Sequence, residues 1–133
     1  MIAPKKPTHL VRIEVRFVEQ EDGEIKIITD DDESKSPKEE KETFSFKTPA
    51  WGDVKRIMSN CSIIAQDGQV SFDGYKFLDA RMKGLLVAWS LKDEKENPLK
   101  VTEENIDKLP STVVTYLNGK LDGIPAFATA FGG

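Results

Sequence analysis

The sequence predicts an α+β domain in which an N-terminal antiparallel sheet of three strands, a hairpin plus one strand, is followed by three or four amphipathic helices. Two observations carry this expectation. Apolar residues recur with period two as far as Lys47, which marks half-buried strands, and with spacings of three and four beyond Pro49, which marks helices with one apolar face. A chain of 133 residues has material for one core, so residues 1–122 are assigned to a single domain.

From Leu10 to Val18 the residues Val11, Ile13, Val15 and Phe17 alternate with Arg12, Glu14 and Arg16, giving the first strand. Glu21-Asp22-Gly23 has turn chemistry, and the alternation resumes from Glu24 to Thr29, so these two segments form a hairpin. Residues 30–42 are too polar to bury anything and are expected to be a mobile acidic loop. Thr43 to Lys47, with Phe44 and Phe46 on one face, supplies the third strand.

Beyond Thr48 and Pro49, which could cap and start a helix as could Gly52-Asp53, the residues Val54, Ile57, Met58, Cys61 and Ile64 fall on one helical stripe. Asp67-Gly68 ends that element and opens a loop from Val70 to Asp73. Leu78, Met82, Leu85, Leu86 and Trp89 repeat the spacing and predict a second helix from about Tyr75 to Ser90. Asn97-Pro98 signals a turn, and Thr102 reads as the N-cap of a short helix reaching Lys108, with Glu103 and Glu104 in the first turn. Pro110 interrupts it, after which Val113, Val114, Leu117 and Leu121 carry the last amphipathic turns. Residues 123–133 carry no charge apart from the chain end and mix apolar residues with Gly, Pro and Ala, so a flexible apolar tail is expected.

Charge narrows the function classes. The formal net charge of −4 is accounted for by Asp30 to Glu42, where seven acids face three bases. No basic stripe with interleaved aromatics is present, so neither nucleic acid nor an anionic membrane surface is expected as a partner. Cys61 is the only cysteine, which excludes an intrachain disulfide and fits an intracellular compartment. The start, Met1 to Pro7, lacks the apolar core of a signal peptide, and no apolar run is long enough to span a membrane. A cytoplasmic location is therefore the expectation.

Chemistry has little to work with in this sequence. His9 is the single histidine, so a zinc site, a Ser/His/Asp triad or a Cys/His pair would each depend on it alone. Cys61 lies on an apolar stripe, where a thiol behaves as a small hydrophobe. Asp30-Asp31-Asp32-Glu33 lacks the alternating oxygen ligands and central Gly of a calcium loop, and no phosphate-cradling Gly motif occurs. The expectation is a protein without enzymatic activity, metal or cofactor, working through protein contacts.

Leu85-Leu86-Val87-Ala88-Trp89-Ser90-Leu91-Lys92-Asp93, followed by Pro98-Leu99 and by Thr102-Glu103-Glu104-Asn105 with Leu109-Pro110, resembles the tail assembly chaperones of long-tailed bacteriophages. Those proteins share an apolar helix ending in Trp, Leu and an acidic turn, then Pro-Leu, a Thr-Glu-Glu-Asn-like helix start and Leu-Pro. Phe46-Lys47-Thr48-Pro49 followed by Trp51 is similar to the family's middle section, so the resemblance covers about Thr43 to Leu121. It implies a non-structural factor of the host cytoplasm that binds the tape-measure protein, keeps it soluble and helps recruit tail-tube subunits. In several members a frameshift near the end adds a second domain, and the ending Gly132-Gly133 is compatible with such a junction. The competing expectation is a small structural or adaptor subunit of a phage particle.

A chaperone for an extended apolar helix needs exposed apolar surface. Trp51, Trp89, Leu91, Leu99, Val101, Phe127 and Phe131 are the candidate partner-binding residues, since two helical stripes on a three-stranded sheet leave most of them unplaced. Self-association through the same residues is left open.

Overall fold

The computed structural model describes residues 9–29 and 38–131. Strand β1 (Leu10–Glu19) turns through Gly23, whose φ of +86° suits glycine, into β2 (Ile25–Ile28), as the alternation requires. Strand β3 (Glu40–Lys47) then pairs with β1 on its other side, with Leu10 opposite Lys47 and Phe17 opposite Glu40. Of the expected acidic loop, residues 30–37 lie outside the described residues, whereas Glu40 to Glu42 belong to β3. Glu39, just before the strand, accepts from Arg16 Nε at 2.7 Å, because the strand pairing carries it alongside that cation.

Helix α1 (Trp51–Cys61) begins after Ala50, not at Thr48, whose buried Oγ1 has no hydrogen-bond partner among the described residues. Alanine offers no capping oxygen, so the returning carboxylate of Asp53 does that work, accepting the Ala50 N–H at 3.0 Å. Asp53 also meets Lys47 Nζ at 3.0 Å and Arg56 Nη2 at 2.7 Å. Burial alone would raise its pKa, but the Ala50 N–H and the two cations outweigh that and hold the carboxyl below its ordinary value.

The first helix was expected to run on to Ile64, and here the structure differs. Strand β4 (Ser62–Ile64) follows Cys61 directly and pairs antiparallel with β5 (Val70–Phe72), so the expected loop from Val70 is a strand. The turn between them uses Gly68 at φ +83° and the Asp67 side chain, which accepts the Gln69 N–H at 3.0 Å. Asp73 caps helix α2 (Gly74–Leu85), its Oδ1 accepting from Tyr75 and Lys76.

The second correction is larger. The helix expected to reach Ser90 stops at Leu85, and Leu86–Trp89 forms β6, a fourth strand paired antiparallel with β3. Phe44 faces Trp89 and Ser45 faces Ala88, but Phe46 faces Leu86, so Val87 is an extra residue in the ladder. This bulge puts Leu86 and Trp89, three positions apart, on the same face of a strand, which imitates helical spacing. The sheet order is β2-β1-β3-β6.

Helix α3 (Glu103–Asp107) starts where Thr102 was expected to cap it, with Thr102 Oγ1 accepting the Asn105 N–H at 3.1 Å. Pro110 precedes α4 (Ser111–Asp122), which buries Val113, Leu117 and Leu121. The expected flexible tail contains a further helix, α5 (Pro125–Ala130), started by Pro125 and anchored by Phe127, which is 0% exposed. The core lies between the sheet, through Ile13, Val15, Phe44, Phe46 and Leu86, and the helices, through Ile57, Met82, Leu85, Ile106, Leu117, Leu121 and Phe127. The α+β class stands, with a fourth strand in the sheet, a separate two-stranded ribbon and a helix in the tail added to what was expected.

Candidate partner-binding surface

The seven candidate residues separate into three places. Trp51 opens α1 and is 74% exposed. Trp89 is half-buried on β6, edge-on to Phe44 with ring centroids 6.3 Å apart, and its Nε1 donates to the Leu99 carbonyl at 2.7 Å. The Leu99 N–H in turn donates to the Leu91 carbonyl at 2.9 Å. Leu91 and Val101 pack against the core, so Trp89, Leu91, Leu99 and Val101 hold the 90–101 connection to the sheet. Phe127 is interior, while Phe131 is half-buried with its ring 5.3 Å from that of Phe77.

The exposed apolar surface lies elsewhere, on the hairpin between α1 and α2. Every residue of β4 and β5 is exposed. The register sets Ile64 opposite Val70 and Ser62 opposite Phe72, so Ile64, Val70 and Phe72 share one face of the ribbon, and Ile64 is 73% exposed. Tyr75, at the start of α2, is also exposed. A two-stranded ribbon is marginal by itself. This one is held at its base, where the Asp73 N–H donates to the Cys61 carbonyl at 2.9 Å.

An aromatic row leads from the ribbon to the C-terminal helix: Phe72 lies 5.3 Å from Phe77, and Phe77 lies 5.3 Å from Phe131. These rings, with Met58, Arg81, Phe127 and Ala128, line a cleft of about 510 Å³. Its position depends on Arg81, which is buried on α2 and lies 4.8 Å above the centre of the Phe77 ring. Its guanidinium donates to Asn118 Oδ1 at 2.8 Å, the Asn118 carbonyl at 2.9 Å and Asp122 Oδ1 at 2.7 Å. Three charge-assisted bonds therefore join α2 to α4 beneath the row. A second tie, from Lys83 to Asp107 at 3.0 Å and Asp79 at 3.1 Å, joins α2 to α3 and raises the lysine pKa, Asp107 contributing most.

None of Ile63, Ile64, Val70, Phe72, Tyr75 or Phe77 was among the expected contact residues. A signal was present: Asp67-Gly68 between Ser62-Ile63-Ile64 and Val70-Ser71-Phe72 is hairpin chemistry between two short alternating runs. Its brevity let the helical spacing of Ile64 prevail.

Neither Cys61 nor His9 lines the cleft. Cys61 is buried, its thiol donating to the Ile57 carbonyl at 2.9 Å; burial, helped by the Asp73 carboxylate, pushes its pKa up, away from thiolate formation. His9 is exposed beside β1, and its carbonyl accepts the Thr48 N–H. Among the described residues no helix is long and apolar enough to cross a membrane. Neither family models nor curated proteins nor solved structures offer a match to this chain.

Proposed function

We propose that this protein is a non-catalytic chaperone that takes hold of an apolar helix of a partner through the β4–β5 ribbon and the adjoining aromatic cleft. The observation that supports this most directly is the uncovered face of Ile64, Val70 and Phe72, continuous through Phe77 with Phe131. Apolar faces of this kind serve to bind other chains, and aromatic and methionine side chains are the ones that adapt to varied apolar sequences. Taken with the resemblance of Thr43 to Leu121 to tail assembly chaperones, the partner is the tape-measure protein of a long-tailed phage, tail-tube subunits being recruited to it in the host cytoplasm. Of the seven residues expected to bind a partner, Trp51 is the most exposed and Phe131 lies within the proposed surface.

The test is co-expression with the tape-measure protein encoded nearby, measuring the soluble yield of that partner with and without this chain. The wild-type chain raises the yield, and Ile64→Ser combined with Phe72→Ser removes the effect while the variant still folds, because both side chains are exposed. An unchanged yield with the wild-type chain overturns the reading. Abundant recovery of the chain in purified particles would instead support a structural subunit.

A further inference from the structure

β1 is longer than the strand beside it. β2 pairs only with Arg16 to Glu19, so among the described residues Leu10 to Val15 are paired on the β3 side alone. The direction of the free groups follows from two bonds. The His9 carbonyl accepts from Thr48 on the β3 side, and the Gln20 N–H donates to the Glu24 carbonyl on the β2 side. Strand alternation therefore points the N–H and C=O of Leu10, Arg12 and Glu14 outward, on the line that β2 would occupy if it continued. Among the described residues none pairs with them. An unpaired edge of this kind is a template for another strand, and proteins usually cover or blunt it.

This edge forms one wall of a cleft of about 700 Å³, the opposite wall being α4 through Tyr116, Gly119 and Lys120. The cleft is open at Gly119, where an added Cβ would meet nothing within 4 Å. Its charge is uneven. Glu14 has a cation of its own in Lys41, at 3.8 Å, whereas among the described residues no acid lies within ion-pairing distance of Arg12 or Lys120, the latter resting 5.5 Å from the centre of the Tyr116 ring.

We propose that the Leu10–Glu14 edge of β1 is a second docking site, distinct from the aromatic cleft, which accepts an extended acidic segment of a partner protein by strand addition. The added strand lies antiparallel to β1, in line with β2. Its residue opposite Arg12 is Asp or Glu, on the sheet face away from the helices. Its neighbour opposite Ile13 points toward α4 and is apolar, since Ile13 faces the core. The recognised segment thus sets an acid opposite Arg12, between apolar residues opposite Val11 and Ile13. Main-chain bonds give the affinity, and Arg12 gives the preference for acid.

The probe is a fluorescein-labelled, capped ten-residue peptide with Val at alternate positions and Glu and Thr taking turns between them, compared by fluorescence anisotropy with its counterpart carrying Lys for Glu. The full-length chain binds the acidic peptide at least tenfold more tightly. Arg12→Glu removes that preference. Gly119→Leu weakens binding at least tenfold without lowering the melting temperature, because it fills the cleft from an exposed helical position with no neighbour to displace. Hydrogen exchange reports the edge directly, the amides of Arg12 and Glu14 being fast in the protein alone and protected by the peptide. Failure of the acidic peptide to bind, or binding indifferent to both substitutions, overturns the proposal. Protection of those two amides in the protein alone also overturns it, since the chain would then cover its own edge.

Discussion

Replacing Arg81 with methionine tests what holds the aromatic row in place. Two of the three bonds made by the guanidinium end on Asn118, which is itself buried, and the third on Asp122, whose side chain is 66% exposed. The thioether side chain would keep much of the aliphatic packing on Phe77 but leave Asn118 Oδ1 without its donor inside the protein. A buried polar group deprived of its partner costs about 1–3 kcal/mol, and a hydrogen bond to a charged group contributes about 1.5–3 kcal/mol. The net loss for Arg81→Met is therefore about 3 kcal/mol. For a domain of this size that lowers the melting temperature by roughly 10–15 °C. Asp122→Ala removes only the solvent-facing end of the network, where water takes over the guanidinium N–H, and costs under about 1 kcal/mol. Urea titration followed by tryptophan fluorescence reads both variants. Equal losses for the two would refute the reasoning, because the ion pair rather than the buried amide contacts would then be the tie between α2 and α4.

Two further predictions concern stability. Leu85→Ala and Leu86→Ala each cost about 2–5 kcal/mol by thermal melting, since both side chains are buried although one closes a helix and the other opens a strand; parent-like melting of either removes it from the core. Asp53→Asn lowers stability at neutral pH, and the deficit narrows in acid. A carboxyl whose folded pKa is depressed contributes its full stabilisation above the ordinary carboxylate value and loses it as the pH falls through the depressed one. Urea titrations at pH 7 and pH 3 check this, and a deficit of the same size at both contradicts it.

The parts of the fold that were legible in the sequence are those where one period persists. Val11, Ile13, Val15 and Phe17 alternate over a whole strand, and Val113, Leu117 and Leu121 hold to one helix face, so local pattern and final burial agree. At Leu86 the pattern misled, because the Val87 bulge converts a strand's period of two into an apparent three. β4 and β5, three residues each, are too short to outweigh the helical stripe before them. The candidate surface inherited those errors. Leu99 and Val101 were set free only because Trp89 was assigned to a helix, whereas in the sheet its indole is the anchor for their loop. Phe127 looked free because the composition of its segment suggests a tail, and composition carries no information about a long-range contact.

The position of β6 also matters while the chain is being made. β1, β2 and β3 emerge from the ribosome together and can pair as soon as Lys47 is clear. The strand that covers the outer edge of β3 comes about forty residues later, after two helices and a hairpin have been added. Until then Phe44 and Phe46, both fully interior in the finished protein, lie on a three-stranded sheet that lacks the cover of α4 and α5, beside a bare strand edge. A nascent chain ending before Leu86 is thus a sticky intermediate rather than a smaller version of the domain. Synthesis that pauses in this interval leaves an apolar sheet face that other chains can stick to.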